Sequence, residues 1–298
     1  MQNINTRPVM LVSNSSWYLC HYRKLLIENL KKENEHILAL APYDSMSRDL
    51  SRLLIHIPWR MSRSKNQNLP SFLISFFRML LIIRAIKPKL IHSHTLQANL
   101  ITSIVGSFFG INCIFSFAGV GRFAKSKGLS KIFFIIILKV INFFNTFQRE
   151  SKFLYKFNPK RSIYIFQNQN DIDFINKEVS EIKSSNIKLI HGSGIPNIYI
   201  SNSNKYKNNS PWLENFKTEK DKISKKITFV YCARLLKNKG ILIFIELSKI
   251  YPENKFLVFG SIDPSTRDSL TKNDLNFYKK NCINITFMNN IKDPLLSI

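Results

Sequence analysis

The side chains with the most chemical promise stand at the ends of apolar runs. Arg234 and Lys239 flank a turn that joins the apolar run Lys226 to Cys232 to a helical pattern over Lys239 to Lys249. A helix N-terminus presents free N–H groups to an anion. Arg adds a planar fork and Lys a point charge for phosphate oxygens. In a chain this basic, a solvated Arg and Lys is the plainer alternative. Ser15 and Ser16 follow the first apolar run, at the strand end where open α/β sheets bind ligands. They serve equally well as a helix cap. His94 closes another apolar run, and a lone His is more often structural than catalytic. Gly119 and Gly121 permit a tight loop after the run Ile111 to Phe117. No Gly-x-Gly-x-x-Gly follows the first strand, which speaks against a nucleotide-binding oxidoreductase.

These residues need a scaffold, and the hydrophobic pattern supplies one. Strands are expected over Pro8 to Val12, His36 to Ala41, Ser51 to Ile57, Leu90 to His92, Ile111 to Phe117, Ser162 to Phe166 and Lys188 to Ile190. Helices are expected over Tyr22 to Lys32, Phe72 to Ile86 and Thr95 to Phe109. Strands alternating with helices mean βαβ units and a parallel sheet. Residues 198–224 are rich in Asn, Ser and Lys and read as a linker or surface excursion. A second alternation follows, with strands over Lys226 to Cys232, Lys255 to Phe259 and Ile283 to Phe287. It stops short of the ~5–6 strands of a doubly wound sheet. The organisation expected is therefore an N-terminal domain over 1–197, the linker, and a partial C-terminal domain over 225–298.

The 298 residues suit about two domains. A hydrophobic content of 45% excludes a disordered chain. Cys20, Cys113, Cys232 and Cys282 lie far apart, which argues against a zinc module or a disulfide scaffold and for isolated buried thiols in a reducing compartment. No signal-peptide pattern opens the chain. The most apolar stretch, Ile132 to Phe144, is interrupted by Lys139 and Asn142 and falls short of the ~20 residues of a spanning helix. The chain reads as cytoplasmic.

The net charge is +25, and it is unevenly spread. No acidic residue lies between Asp49 and Glu150, while fourteen Lys and Arg do. Two Phe-rich helical segments sit inside this block. Ser71, Ser75 and Arg78 form a polar stripe on one, and Lys131, Lys139, Asn142 and Thr146 a narrow stripe on the other. Basic amphipathic helices suit an anionic membrane surface. Core helices with snorkelling cations are the plainer alternative. Nucleic acid is the weaker partner, because no reader motif accompanies the charge.

Seven stretches in order carry a resemblance. They are Val9 to Tyr18 with His21-Tyr22-Arg23, Ile91-His92-Ser93-His94-Thr95, Ala118-Gly119-Val120-Gly121-Arg122-Phe123, Ile165-Phe166-Gln167-Asn168, His191-Gly192-Ser193-Gly194-Ile195, Ala233 to Gly240, and Gly260-Ser261-Ile262-Asp263-Pro264. In these the sequence resembles bacterial retaining glycosyltransferases of family 4, in the subgroup that extends lipid-linked glycans of O-antigen, capsule and related pathways. The resemblance implies a GT-B fold: two Rossmann-like domains facing a cleft, the second incomplete here. It implies a nucleotide-sugar donor, a UDP-sugar, held mainly by the C-terminal domain, and a lipid-linked or polysaccharide acceptor held mainly by the N-terminal one. It implies no cofactor and no metal, so side chains and helix N-termini meet the diphosphate charge. On that reading Arg234, Lys239, Gly260, Ser15, Ser16, Gly119 and Gly121 bind the donor and His94 is catalytic. The place of work would be the inner face of the plasma membrane.

The sequence also departs from the family. Ser-Ser-Trp replaces a Gly-rich turn after the first strand, and Ala118 stands where many relatives carry His. The family's pair of glutamates after the last motif is not reached before Ile298. A C-terminally truncated enzyme with little or no transfer is the expectation. The alternative is an inactive remnant that docks on membrane or partners.

Overall fold

A computed structural model describes residues 7–61, 69–120, 128–150, 162–179, 182, 184–192, 227–263 and 268–288. The chain divides into two compact units, Met1–Gly194 and Ile195–Ile298. The expected linker over 198–224 lies outside the described residues.

The first unit runs β1 (Val9–Ser13), α1 (Ser16–Tyr22), α2 (Lys24–Lys32), β2 (Ile37–Ala41), α3 (Ser47–Leu53), β3 (Ile55–Pro58), α4 (Leu69–Ile86), β4 (Leu90–His94), α5 (Leu96–Phe109), β5 (Asn112–Phe117), α6 (Leu129–Glu150), β6 (Ile163–Phe166), α7 (Gln169–Glu178) and β7 (Ile187–Leu189). The seven strands are all parallel, in the order β3-β2-β1-β4-β5-β6-β7. The chain moves outward from β1 to β3, then returns through α4 to the other side of β1. Right-handed crossovers put helices on opposite faces when the direction of travel reverses. The core splits accordingly. Met10 and Val12 of β1 pack with α4, α5, α6 and α7, whereas Val9 and Leu11 pack with α1, α2 and α3. Period-two alternation along one strand buried on both faces gives this division. The reversal point lies between β1 and β4, in register Val9↔Leu90 through Ser13↔His94.

For this unit the expected pattern lacks α1, α3 and α7, and two of its elements change extent. Ser51 to Leu53 close helix α3, so only Ile55–Pro58 is strand. The apolar residues Leu50, Leu53 and Leu54 satisfy either reading locally. Burial of Leu50 and Leu54 against the core of the first three helices decides for the helix. The expected helix over Tyr22 to Lys32 is α2, and the separate helix α1 precedes it across Arg23.

The second unit contributes β8 (Thr228–Cys232), a 3-10 turn (Lys237–Lys239), α8 (Ile241–Ile250), β9 (Lys255–Phe259), α9 (Lys272–Asn281) and β10 (Ile285–Met288). Its described strands are parallel in the order β10-β9-β8. Ile241, Ile245, Phe256, Val258 and Ile285 form its core. A capping box between Thr271 and Asp274 starts α9. Three of the thiols are buried as expected, but Cys232 is exposed.

The helices of the acid-free block present a different face from the one expected. On α4, Ser75 is buried and donates to the Ser71 carbonyl at 2.8 Å, while Leu73, Ile74, Phe77 and Leu81 are exposed beside Arg78 and Arg84. On α6, Asn142 is buried and accepts from the Tyr164 hydroxyl, and Lys131 pairs with Glu178 at 2.7 Å. Ile132, Phe133, Ile136 and Phe143 are exposed there. The outward faces are thus apolar with a few cations. The side chain of Thr146 lies outside the described residues. Among the described residues no helix is long and apolar enough to cross a membrane.

Candidate functional site

The reversal point gathers polar side chains at the C-terminal ends of β1 and β4, the position where open parallel sheets bind ligands. His92 and His94 lie side by side on β4, with ring centroids 4.2 Å apart and the rings tilted by 40°. The His92 Nε2 meets the Ser116 hydroxyl at 2.8 Å. Arg23, from the junction of α1 and α2, donates through Nε to His94 Nδ1 at 3.3 Å and to the Tyr18 hydroxyl at 2.9 Å. A guanidinium only donates, so Nδ1 of His94 is the acceptor and Nε2 carries the proton. Burial pushes His94 well below the ordinary histidine range, and the neighbouring His92 and Arg23 push the same way. His92 is pushed down to about 3, chiefly by burial and then by Arg23. Both imidazoles are neutral at physiological pH.

Among the described residues, the protonated Nε2 of His94 is buried and has no hydrogen-bond partner. The same holds for Asn14 Oδ1, after β1, and for Thr95 Oγ1, after β4. Buried polar groups nearly always find partners, so three unpaired atoms at one sheet edge call for an explanation. Thr95 also has φ +82°, which is strained for a β-branched residue, and such strain clusters at binding sites. An acceptor, a donor and a hydroxyl together form the pattern that recognises a hydroxyl group. In this tautomer the Nε2 of His94 is placed to donate a hydrogen bond rather than to accept one.

The other candidates in this unit are placed as follows. The Ser15 hydroxyl caps α1, accepting from the Tyr18 amide. The Ser16 amide, which a phosphate at this turn would need, donates to Asp44 at 2.9 Å, and the Ser16 hydroxyl donates to the Pro42 carbonyl. A carboxylate thus already occupies the anion-favouring end of α1. Gly119 has φ +86° and so shapes the turn after β5, while Gly121 lies outside the described residues. The Val120 amide donates to Asp171, which anchors that turn on α7.

In the second unit, Arg234 follows β8 and Lys239 closes the turn before α8. Arg234 is half exposed and pairs with Asp263 of the loop after β9 at 2.6 Å. Lys239 is exposed, and among the described residues it forms no ion pair. The Leu235 amide donates to Ser261, and the Leu270 amide to Leu235, which ties the loops after β8 and β9 together. Gly260 sits at this junction. A Cβ there would overlap the Ala233 carbonyl, so its small size serves close packing of the two strand ends. Among the described residues no group of three or more His, Cys, Asp or Glu is placed to hold a metal.

Reading the sequence alone did not single out Asn14, Arg23, Thr95, Asp44 or Asp263 as site residues. Asn14, Arg23, Thr95 and Asp263 lie within the seven stretches, but the partners of Arg23 and Asp263, His94 and Arg234, are remote in sequence.

No family model and no curated protein matches the sequence. Solved structures do match. A glycosyltransferase from Rickettsia africae ESF-5 aligns with TM-score 0.64 at 17% identity, covering 98% of this chain and 70% of that one. Anabaena Alr3699/HepE in complex with UDP aligns with TM-score 0.63 at 14% identity, covering 97% and 71%. Sucrose-phosphate synthase (tll1590) from Thermosynechococcus elongatus aligns with TM-score 0.63 at 15% identity, covering 96% and 71%. The likeness spans both units and establishes the fold as Rossmann-like α/β of the GT-B kind.

Proposed function

We propose that the chain belongs to a retaining glycosyltransferase that moves a sugar from a UDP-sugar to a lipid-linked or polysaccharide acceptor in cell-surface glycan biosynthesis. The observation that carries this reading is the fold shared over 97% of the chain with Anabaena HepE, a protein solved with UDP and with UDP-glucose. In this reading Arg234 and Lys239 meet the diphosphate. Charge that develops on a leaving diphosphate is best stabilised by cations already in place. Asp263 fixes the Arg234 fork at the loop junction where the phosphates would lie. No metal enters the scheme. The unpaired Asn14, His94 and Thr95 atoms receive a hydroxyl of the acceptor, with His94 as hydrogen-bond donor.

The exposed apolar faces of α4 and α6, with Arg78, Arg84 and Lys139, support attachment to the inner face of an anionic membrane.

Calorimetric titration of the chain with UDP, UDP-glucose, ADP and GDP tests the donor side. Selective uptake of the uridine nucleotides is expected. Equal affinity for all, or none, overturns the reading. Where turnover is seen, NMR of the anomeric proton must show the donor's configuration retained.

A further inference from the structure

The C-terminal edge of the first sheet holds a second feature, two strands away from the reversal point. A cavity of about 430 Å³ opens beyond β2 and β3, lined by Tyr43, Pro58, Trp59, Arg60, Ile74 and Arg78 among others. Trp59 is buried and donates through Nε1 to the Ser75 carbonyl at 2.9 Å, which locks the floor of the cavity onto α4. Arg60 and Arg78 come from different elements and are both exposed. Among the described residues neither forms an ion pair, and no acidic side chain lines the cavity. The nearest carboxylate in sequence, Asp44, is turned to the amides of Ser16 and Met46.

Two guanidinium groups lining one cavity, with no counter-charge among the described residues, form an anion site of the phosphate-binding type. The volume is that of a small-molecule site, larger than one phosphate needs. The wall is also not isolated from the apolar surface. Ile74 lines the cavity and belongs to the exposed α4 face with Leu73, Phe77 and Leu81. That helix of 18 residues runs for about 27 Å. Tyr43, 81% exposed, stands at the rim, and tyrosine suits a boundary between apolar and wet surroundings.

We propose that this cavity holds the phosphate or diphosphate headgroup of a long-chain lipid phosphate, with the α4 face lying along the chain. The inference rests on the lipid-acceptor reading above and gives it a place. Strands in a sheet lie ~4.8 Å apart, so the headgroup would sit roughly 10 Å from the polar atoms at the β1 end. One or two sugars span that distance.

The test uses vesicles of phosphatidylcholine carrying either a polyisoprenyl phosphate or phosphatidylserine, matched in surface potential, and flotation of the full chain. Binding is expected to be roughly tenfold tighter to the lipid phosphate, the worth of about one charge-assisted hydrogen bond. That preference should vanish in Arg60→Gln with Arg78→Gln and survive in Arg84→Gln with Lys87→Gln, which removes the same two charges outside the cavity. Equal binding to both vesicles by the unaltered chain overturns the proposal, since only a general anionic surface is then read. Competition by inorganic phosphate as effective as by the chain-bearing phosphate overturns it too, since the cavity then takes a soluble ion. A chain that prefers lipid phosphate but ignores UDP breaks the glycosyltransferase reading alone. A chain that binds UDP without the preference breaks this one alone.

Discussion

The two units end their strands in opposite electrostatic regimes. At the ends of β1 and β4, polar groups are sunk in the protein, and both histidines are held neutral by burial. At the ends of β8 and β9, Arg234 and Lys239 stand at the surface, and the Arg234 side chain is half open to solvent. The difference follows from packing. Seven strands covered on both faces leave their reversal point inside, whereas the described part of the second unit has three strands and keeps its loops at the surface. Buried neutral groups discriminate by hydrogen-bond pattern, because an unpaired donor there costs the full desolvation penalty. Exposed cations attract anions but are screened by water and salt. On the proposed reading, one unit selects among hydroxyls and the other attracts phosphate.

The contrast can be broken at several strengths. The largest effect is expected at Gly260→Ala, which forces a side chain into the Ala233 carbonyl. Overpacking against backbone should destabilise the second unit by about 3 kcal/mol, read by thermal denaturation. Gly119→Ala has open space around it and carries only the cost of φ +86°, about 1 kcal/mol. Equal losses at the two glycines would deny the close-packed junction.

Arg234→Ala or Lys239→Ala should each weaken UDP binding by ~1.5–3 kcal/mol, the range for hydrogen bonds to charged groups. Unchanged calorimetric affinity in both variants would remove them from the donor site.

The buried histidines predict a pH slope. An unfolded chain protonates His92 and His94 below about pH 6.5, and the folded chain does not. The unfolded state then binds more protons, so stability falls as pH drops from about 6.5 toward the folded value of about 3 for His92. Each histidine contributes up to ~1.4 kcal/mol per pH unit in that window. Urea unfolding at about pH 7.5 and 5.5 should show the loss, and His92→Asn with His94→Asn should flatten it. A slope unaffected by the double substitution would show that other groups carry it.

The smallest effect is expected at Asp263→Asn. Asp263 holds Arg234 but also places negative charge beside it, in a partly exposed pair. Its removal should strengthen UDP binding by less than ~1 kcal/mol. A loss as large as that of Arg234→Ala would mean that orientation by Asp263 outweighs its charge.

Much of the scaffold was legible because its signals are local. Apolar runs of four to six residues broken by polar turns placed the strands, and the acid-free block was visible as composition. The misreadings also have local causes. Leu50, Leu53 and Leu54 fit a strand or a helix until the core of α1, α2 and α3 is in place. Ser71, Ser75 and Arg78 share a helix stripe, but which side of α4 faces water depends on Trp59 reaching the Ser75 carbonyl from another element.

By itself the sequence determined the alternation of strands and helices, the excess of positive charge, and the placement of Arg234 and Lys239 around a strand-to-helix turn. These follow from residue type and from periods of two and 3.6, which neighbours along the chain fix. Only the tertiary structure decided that His94 is neutral, that Asp44 occupies the first helix terminus, and that Arg60 and Arg78 meet at one cavity. Burial, pKa and convergence depend on residues far apart in sequence. His94 and Arg23 become partners only when β4 slides in beside β1, and no local pattern encodes that register.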